Sequence, residues 1–137
     1  MERITLDWLI ERRACSGART LFQEIFGQSA TIKQIVQELH ERELSGWEAW
    51  LLSETPAITE SLLKHGANVH AYHDFALSCA AIDGRTKTVA ILLKHGANVH
   101  NYNDRTLRWA AERGHTKTVA LLKRHIRKME FKKPSTR

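Results

Sequence analysis

Residues 62–74 read LLKHGANVHAYHD, and residues 92–104 read LLKHGANVHNYND. The two segments lie thirty residues apart and differ only at positions 71/101 and 73/103. A match of this length at a fixed offset indicates an internal repeat. The fold is therefore predicted to be an array of similar units that lie side by side.

The same period extends on both sides of this segment. Thr55-Pro56 lies thirty residues before Arg85-Thr86, and a hydroxyl side chain followed by proline is typical of a helix start. Gly66 and Gly96 are expected to end the second helix of their units, because glycine readily adopts the left-handed conformation of a helix cap. We therefore predict a repeat region of residues 46–125 with three units: a degenerate one (46–66), a clear one (76–96) and a last one (106–125).

The last unit has the features expected at the end of an array. Leu63 and Leu93 are replaced by Lys123, and the helix-ending glycine is replaced by Ile126. A terminal repeat needs a polar outer face, because no further unit covers it. With no glycine to stop it, the final helix is predicted to continue until Pro134, so that residues 126–137 form a basic helix end and tail.

Residues 1–45 are predicted to form a separate helical cap. A first helix is expected from Ile4 to Arg13, with Thr5 as its N-cap. A second is expected after Ser16, and a third after Ser29 or Thr31. Each is short and apolar on one face, so none is expected to be stable alone. Together they are predicted to cover the open apolar side of the first repeat.

Cysteine use and hydropathy suggest where the protein works. Cys15 and Cys79 lie far apart with no Cys-x-x-Cys pair, which favours free thiols in a reducing compartment. No apolar run approaches the length of a membrane span, and the N-terminus lacks the layout of a secretory signal. We therefore expect a cytoplasmic protein with no membrane segment.

The positive charge is confined to the C-terminus. Residues 123–137 contain seven Lys or Arg and one Glu, which accounts for the whole net charge of +6. One interpretation is a solvated helix end, where cations suit the helix dipole. The other is a contact for nucleic acid or an acidic protein surface. We favour the first, because Phe131 is the one aromatic there. The predicted basic patch comprises Lys123, Arg124, Arg127, Lys128, Lys132 and Lys133.

Catalytic and metal-binding patterns are missing from the sequence. His65, His95 and His125 recur at the repeat period, so duplication explains them, and repeats place such positions along a rod and not around one point. The chain has no Gly-rich phosphate loop, no Gly-x-Ser-x-Gly and no His-Glu-x-x-His. We therefore predict no catalytic residue, no metal site and no cofactor, and we expect that the protein is not an enzyme.

Positions that differ between duplicated units are candidates for partner binding, because the scaffold itself does not need the difference. Tyr, Trp and Arg are also the commonest anchors of protein interfaces. For Tyr72 and Tyr102 an alternative stays open, namely packing against the helix of the next unit. The predicted partner-binding residues are Tyr72, His73, Phe75, Ser78, Tyr102, Asn103, Arg105, Arg108, Trp109 and Glu112.

The pattern Ala-Ala-x-x-Gly-x-Thr-x-x-Val-x-x-Leu-Leu-x-x-Gly-Ala-Asn-Val at residues 80–99 resembles the ankyrin repeat. The resemblance implies two antiparallel helices and a β-turn finger in each unit. The expected fold is an all-α ankyrin-type solenoid of about three repeats with an N-terminal helical cap. Ankyrin repeats have a period of about 33 residues, so the thirty-residue period here predicts short fingers, with the loss between Val69 and Leu77.

This shortened form is similar to ankyrin arrays of viral, phage and bacterial proteins. The resemblance implies a non-enzymatic, monomeric protein that binds another protein through its concave face. One version is an inhibitor of a host factor, such as a bacterial defence complex, which would act in the host cytoplasm. The alternative is a nucleic-acid-associated protein that binds through the basic C-terminal helix.

Overall fold

The computed structural model describes residues 3–100 and 105–132, the last two of them as backbone only. The described residues form nine helices and one two-stranded sheet, so the predicted all-α class is confirmed. In chain order the elements are β1 (Arg3–Thr5), α1 (Leu6–Glu11), α2 (Ser16–Phe26), β2 (Ser29–Thr31), α3 (Ile32–Glu41), α4 (Ser45–Leu52), α5 (Pro56–Lys64), α6 (Ala71–Ile82), α7 (Thr86–Lys94), α8 (Arg105–Glu112) and α9 (Thr116–Lys132).

The repeat helices stack in two layers. The first helices of the units form an inner layer, in which α6 packs between α4 and α8, and an outer layer runs through α3, α5, α7 and α9. Leu62, Leu92 and Leu122 occupy the same position in successive outer helices, and all three are fully buried between the layers. The predicted solenoid is therefore confirmed. The division of the chain into residues 1–45, 46–125 and 126–137 stays a prediction.

The outer helices end in a common backbone turn. Gly66 and Gly96 have φ angles of 96° and 93°, and the next residue donates a backbone hydrogen bond to the helix, for example from Ala67 to Leu62 at 2.9 Å. At the end of α3 the corresponding left-handed residue is Glu43, with φ of 54°. Because a side chain is strained in that conformation, Glu43 destabilises the turn that glycine accommodates freely.

The N-terminus corrects one prediction. The first helix begins at Leu6 and not at Ile4, because Arg3–Thr5 pairs in antiparallel register with Ser29–Thr31. Ile4 lies opposite Ala30 and both are buried, so strand pairing satisfies the backbone while hiding the apolar side chain. The predicted N-cap is confirmed, since the Thr5 hydroxyl accepts a hydrogen bond from the Trp8 backbone at 3.0 Å.

The next two helices are also close to expectation. The N-cap of α2 is Cys15 and not Ser16: its sulfur accepts a hydrogen bond from the Ala18 backbone at 3.4 Å. Thr31 caps α3 in a reciprocal capping box with Gln34, which is a strong helix start. The predicted apolar stripe of α3 is buried along its length: Ile32, Ile35, Val36 and Leu39.

The links between units are short, as the thirty-residue period predicts, and the link before α6 forms a turn. Val69 and His70 form a turn, and α6 begins at the next residue. The turn is held by the His70 backbone, which donates to the Asn68 side chain at 2.9 Å, and the same bond joins His100 to Asn98. These local hydrogen bonds offer the backbone an alternative to an extended strand.

The first turn of α6 is kinked. Tyr72, His73 and Asp74 all have left-handed φ angles between 54° and 60°. The buried Asp74 carboxylate accepts a hydrogen bond from the His70 ring at 2.6 Å, which ties the kink to the preceding turn. The kink places Tyr72 and His73 on the surface at the edge of the inner layer.

The end of the array agrees with the sequence. The last helix α9 continues past Ile126 to Lys132, and Lys123 is exposed where Leu93 of the previous unit is buried. Beyond Ile126 the apolar side chains of α9 are no longer covered by the array, since Met129 is 43% exposed. Pro134 lies outside the described residues. Across the described helices, none combines the length and the apolar character needed to cross a bilayer.

Candidate protein-binding surface

Eight of the predicted partner-binding residues lie on α6 and α8. Seven of them have side chains that reach solvent, and we call the surface of these seven the inner-helix face. Because α6 packs directly against α8, residues at equivalent repeat positions lie on neighbouring helices of one layer. Tyr72, His73, Phe75, Arg105, Arg108 and Glu112 are exposed, and Trp109 is half-buried. The seven residues are Tyr72, His73, Phe75, Arg105, Arg108, Trp109 and Glu112.

Two aromatic rings stand out on this face. The rings of Tyr72 and Phe75 make an edge-to-face contact with centroids 5.6 Å apart. Tyr72 is nevertheless 54% exposed and Phe75 is 37% exposed. Packing within the described part of the array therefore covers only part of the Tyr72 ring, and the exposure needed for a partner contact is present.

The charged residues of the face lie on the neighbouring helix α8. Arg105 occupies the repeat position of Phe75, and Arg108 lies one helical turn further along α8. Glu112 is exposed at the end of the same helix. The face therefore combines an apolar patch with two guanidinium groups and one carboxylate, a mixture typical of interface anchors and their rims.

Three of the ten candidates are not part of this surface as the structure describes it. The Ser78 side chain is buried, and its hydroxyl lies 3.1 Å from the Thr106 hydroxyl. This hydrogen bond joins α6 to α8, so Ser78 holds the two helices together and is not presented to a partner. Tyr102 and Asn103 lie outside the described residues.

Sequence reasoning missed a polar junction at the repeat position of Ser78. Glu48 on α4 is only 3% exposed, and its carboxylate accepts hydrogen bonds from the His40 ring at 2.8 Å and the Asn68 backbone at 2.7 Å. The junction connects α3, α4 and the link before α6. A polar residue at position 48, 78 and 108 in every inner helix was the signal that could have revealed it.

A second polar cluster lies around the half-buried Cys79. Burial, together with the nearby Asp83 and Glu54 carboxylates, raises the pKa of the Cys79 thiol to about 11, although Arg85 opposes the shift. Burial also raises the pKa of Glu54, against the attraction of Arg85. A thiol with a raised pKa is a poor nucleophile at neutral pH. Among the described residues, no group of three or more His, Cys, Asp or Glu side chains could hold a metal ion.

The basic patch lies on the exposed side of α9. The side chains of Lys123, Arg124, Arg127 and Lys128 line a shallow concavity with Ala120. Within the described part of the chain, none of these four cations has an acidic side chain within salt-bridge distance. Lys132 lies in the last turn of α9, and Lys133 lies outside the described residues.

One titrating group reports on the charge of this helix. The pKa of His125 is lowered, first by burial and then by the positive charges of Lys128 and His100. Nearby cations disfavour the protonated form of a histidine, and Lys128 is one of the four cations that line the concavity.

An apolar cavity of about 370 Å³ lies in the N-terminal part of the molecule. On one side its walls come from α1 and α2, and on the other from α3 and α4. Three polar residues, Arg13, Cys15 and Glu38, also line it. The apolar face of α2 indicated that this helix packs against its neighbours, but nothing in its spacing indicated that a space remains under it. The remaining lining residues are Leu9, Ala14, Ala18, Leu21, Phe22, Ile25, Phe26, Ile35, Leu39, Leu44, Trp47, Trp50 and Leu51.

Comparison with known families agrees with this architecture. A family model described as ankyrin repeats, in three copies, matches residues 27–132. The match begins upstream of residue 46, consistent with the position of α3 in the outer layer beside α5. No curated protein and no solved structure matches the chain. Because the family match covers well over half of the chain, together with two layers of stacked helices, this protein belongs to the ankyrin-repeat family.

Proposed function

We propose that this protein binds another protein through the inner-helix face and catalyses no reaction. Ankyrin repeats are in general protein–protein interaction modules. Stacked repeats place equivalent positions next to one another, and the resulting continuous surface is what such proteins use for binding. Here we assign that role to Tyr72 and to the exposed residues of the inner-helix face that differ between the units.

The observation that carries the proposal is the exposed pair of rings, Tyr72 and Phe75, beside two exposed arginines. Rings in contact with each other are partly ordered before binding, so their side chains lose less conformational entropy when a partner covers them. Arg105 and Arg108 can each make paired hydrogen bonds to a carboxylate. The expected partner surface therefore has an apolar hollow bordered by Asp or Glu side chains.

A finer version of the proposal concerns the biological role. Short repeats with a thirty-residue period resemble those of viral, phage and bacterial arrays, and this resemblance supports an inhibitor that blocks a host factor such as a defence complex. We further propose that the protein acts as a monomer in the cytoplasm of that host. The inhibitory version requires that the partner lose activity when the inner-helix face is occupied.

The test begins with capture of partners from cell extract and continues with the affinity of the purified pair. Phe75→Ala and Arg108→Glu should each weaken binding by about thirtyfold, the effect of losing an anchor worth about 2 kcal/mol. Lys87→Glu on the outer helix α7, where the side chain is exposed, is the matched control and should change the affinity less than twofold. Equal loss in the control, or no loss in the two test variants, contradicts the assignment of the face.

A second candidate function is nucleic-acid binding through α9. The specific observation is the cluster of four exposed bases around one concavity, with no acidic partner among the described residues. Contacts to phosphate release counterions, so affinity falls steeply with salt. Titration of a DNA or RNA probe with wild type and with Arg124→Gln separates the candidates. A steep salt slope that decreases in the variant favours nucleic acid, and a salt-tolerant protein complex favours the inner-helix face.

A further inference from the structure

The apolar cavity in the N-terminal region is bounded by two pairs of helices that do not close on each other. The helix α2 is firmly packed only on its α1 side, and of its apolar residues only Phe22 is buried, whereas Leu21, Ile25 and Phe26 are half-buried. The opposite wall carries Trp47 and Trp50 of α4. Apolar side chains that face an unfilled space make few van der Waals contacts, so these two walls contribute little stability until a ligand fills the space between them.

The size and lining of the cavity match one class of ligand. Sites for small molecules usually measure about 300–1,000 Å³ and are mostly apolar, and this cavity has about 370 Å³. Water is a poor occupant, because a stable buried water needs two to four polar partners. An unbranched hydrocarbon chain suits a lining of Leu, Ile, Phe and Trp side chains.

The polar residues of the lining select the head group. Glu38 is already paired with Arg42, whose Nε lies 2.9 Å from its carboxylate. Arg13 is exposed and makes no ion pair with any described side chain. The lining therefore offers one uncompensated guanidinium group, the side chain best shaped to bind a carboxylate.

We propose that this cavity binds a medium-chain fatty acid, with the hydrocarbon chain inside and the carboxylate at Arg13. The site is distinct from the inner-helix face on α6 and α8. Nine of its sixteen lining residues precede residue 27, where the match to the ankyrin family begins, and none of the sixteen belongs to the inner-helix face. Fatty-acid binding and partner binding can therefore be tested separately.

The wild-type protein gives the first test, with dodecanoate, dodecanol and dodecylamine as probes below their micelle concentrations. Fluorescence of Trp47 and Trp50, which line the cavity, should report saturable binding of one dodecanoate per chain. The same ligand should slow alkylation of Cys15, an exposed thiol in the lining. Dodecylamine should bind at least about fivefold more weakly than dodecanoate, because its charge repels that of Arg13.

Two variants and one control complete the test. Arg13→Gln should weaken dodecanoate binding by about fivefold and abolish the preference over dodecanol, since an exposed ion pair contributes up to about that factor. Lys33→Gln removes one exposed charge from α3, outside the cavity lining, and should have no effect. Ala18→Phe fills the cavity and should prevent binding while the chain keeps its helical circular dichroism.

Several results would overturn the proposal. They are no saturable binding of dodecanoate to the wild type, equal affinity for the three head groups, or an unchanged affinity in Arg13→Gln. If sedimentation shows a dimer that protects Cys15 and that dodecanoate does not dissociate, the occupant is a second copy of the chain and the fatty-acid assignment is wrong. The head-group comparison needs no variant, so the proposal can be refuted even if Ala18→Phe fails to fold.

Discussion

Replacement of Gly84 by alanine tests how closely the last two units pack. Gly84 ends α6 with a φ of 71°, and a Cβ atom added there would lie 2.5 Å from Nδ1 of His115 and 2.7 Å from its Cε1. The His115 ring cannot move freely, because its Nε2 donates a hydrogen bond to the Ile82 carbonyl at 2.8 Å. The new methyl group must therefore displace the ring and break this bond.

The expected cost is the total of three effects. Alanine in the left-handed region costs about 1 kcal/mol. Loss of the hydrogen bond from His115 to Ile82 costs about 1 kcal/mol, and repacking of the ring costs about 1 kcal/mol more. Gly84→Ala should therefore lower the free energy of unfolding by about 3 kcal/mol, which corresponds to a fall in melting temperature of roughly 10 °C for a chain of this length.

The assay is urea unfolding and thermal melting of Gly84→Ala beside a matched control. Gly114 occupies the same position in the last unit with φ of 77°, and a Cβ atom there would meet nothing within 4 Å. Gly114→Ala should therefore show the backbone strain alone, about 1 kcal/mol. In the His115→Ala background the cost of Gly84→Ala should fall to the same value. If the two alanine variants are equally destabilised in the wild-type background, the close approach of His115 does not exist and the reasoning is wrong.

Three further predictions concern stability. Glu43→Gly should raise the free energy of unfolding by about 0.5–1 kcal/mol, because it relieves the left-handed side chain at the end of α3; no gain in urea unfolding would contradict the strain. Glu48→Gln should cost about 1–2 kcal/mol in the same assay, since its hydrogen bond from His40 loses its charge assistance; a neutral result would mean that the junction is not formed. Burial raises the Cys79 pKa from its ordinary 9.0 to about 11, so the folded state holds this proton more tightly. The stability contributed by the protonated thiol should be complete below pH 9 and lost as the pH rises towards 11. In Cys79→Ala the free energy of unfolding should fall less over this range than in wild type, and identical pH profiles would exclude the effect.

Local sequence determined the repeating helices and their order. A Thr-Pro helix start and glycines at helix ends each act within one turn of backbone, so they can be recognised without knowledge of distant contacts. The thirty-residue period shows that the same pattern recurs along the chain. The end of the array could also be predicted, because Lys123 replaces Leu93 of the previous unit, and a terminal repeat needs a polar outer face. Comparison of the duplicated units likewise selected Phe75 and Arg108, whose counterparts differ, whereas Tyr72 was chosen for its residue type.

Only the tertiary structure decided which polar residues face solvent and where packing is incomplete. Ser78 differs between units just as Arg108 does, yet its hydroxyl is buried against Thr106, a contact between helices that no spacing along the chain reveals. Pairing of Ile4 with Ala30 in a sheet and the buried carboxylate of Glu48 likewise depend on partners far away in sequence. The cavity beneath α2 depends on the distance between the α1–α2 pair and the α3–α4 pair. That distance is set by the packing of the whole molecule, and not by the apolar stripe of any one helix.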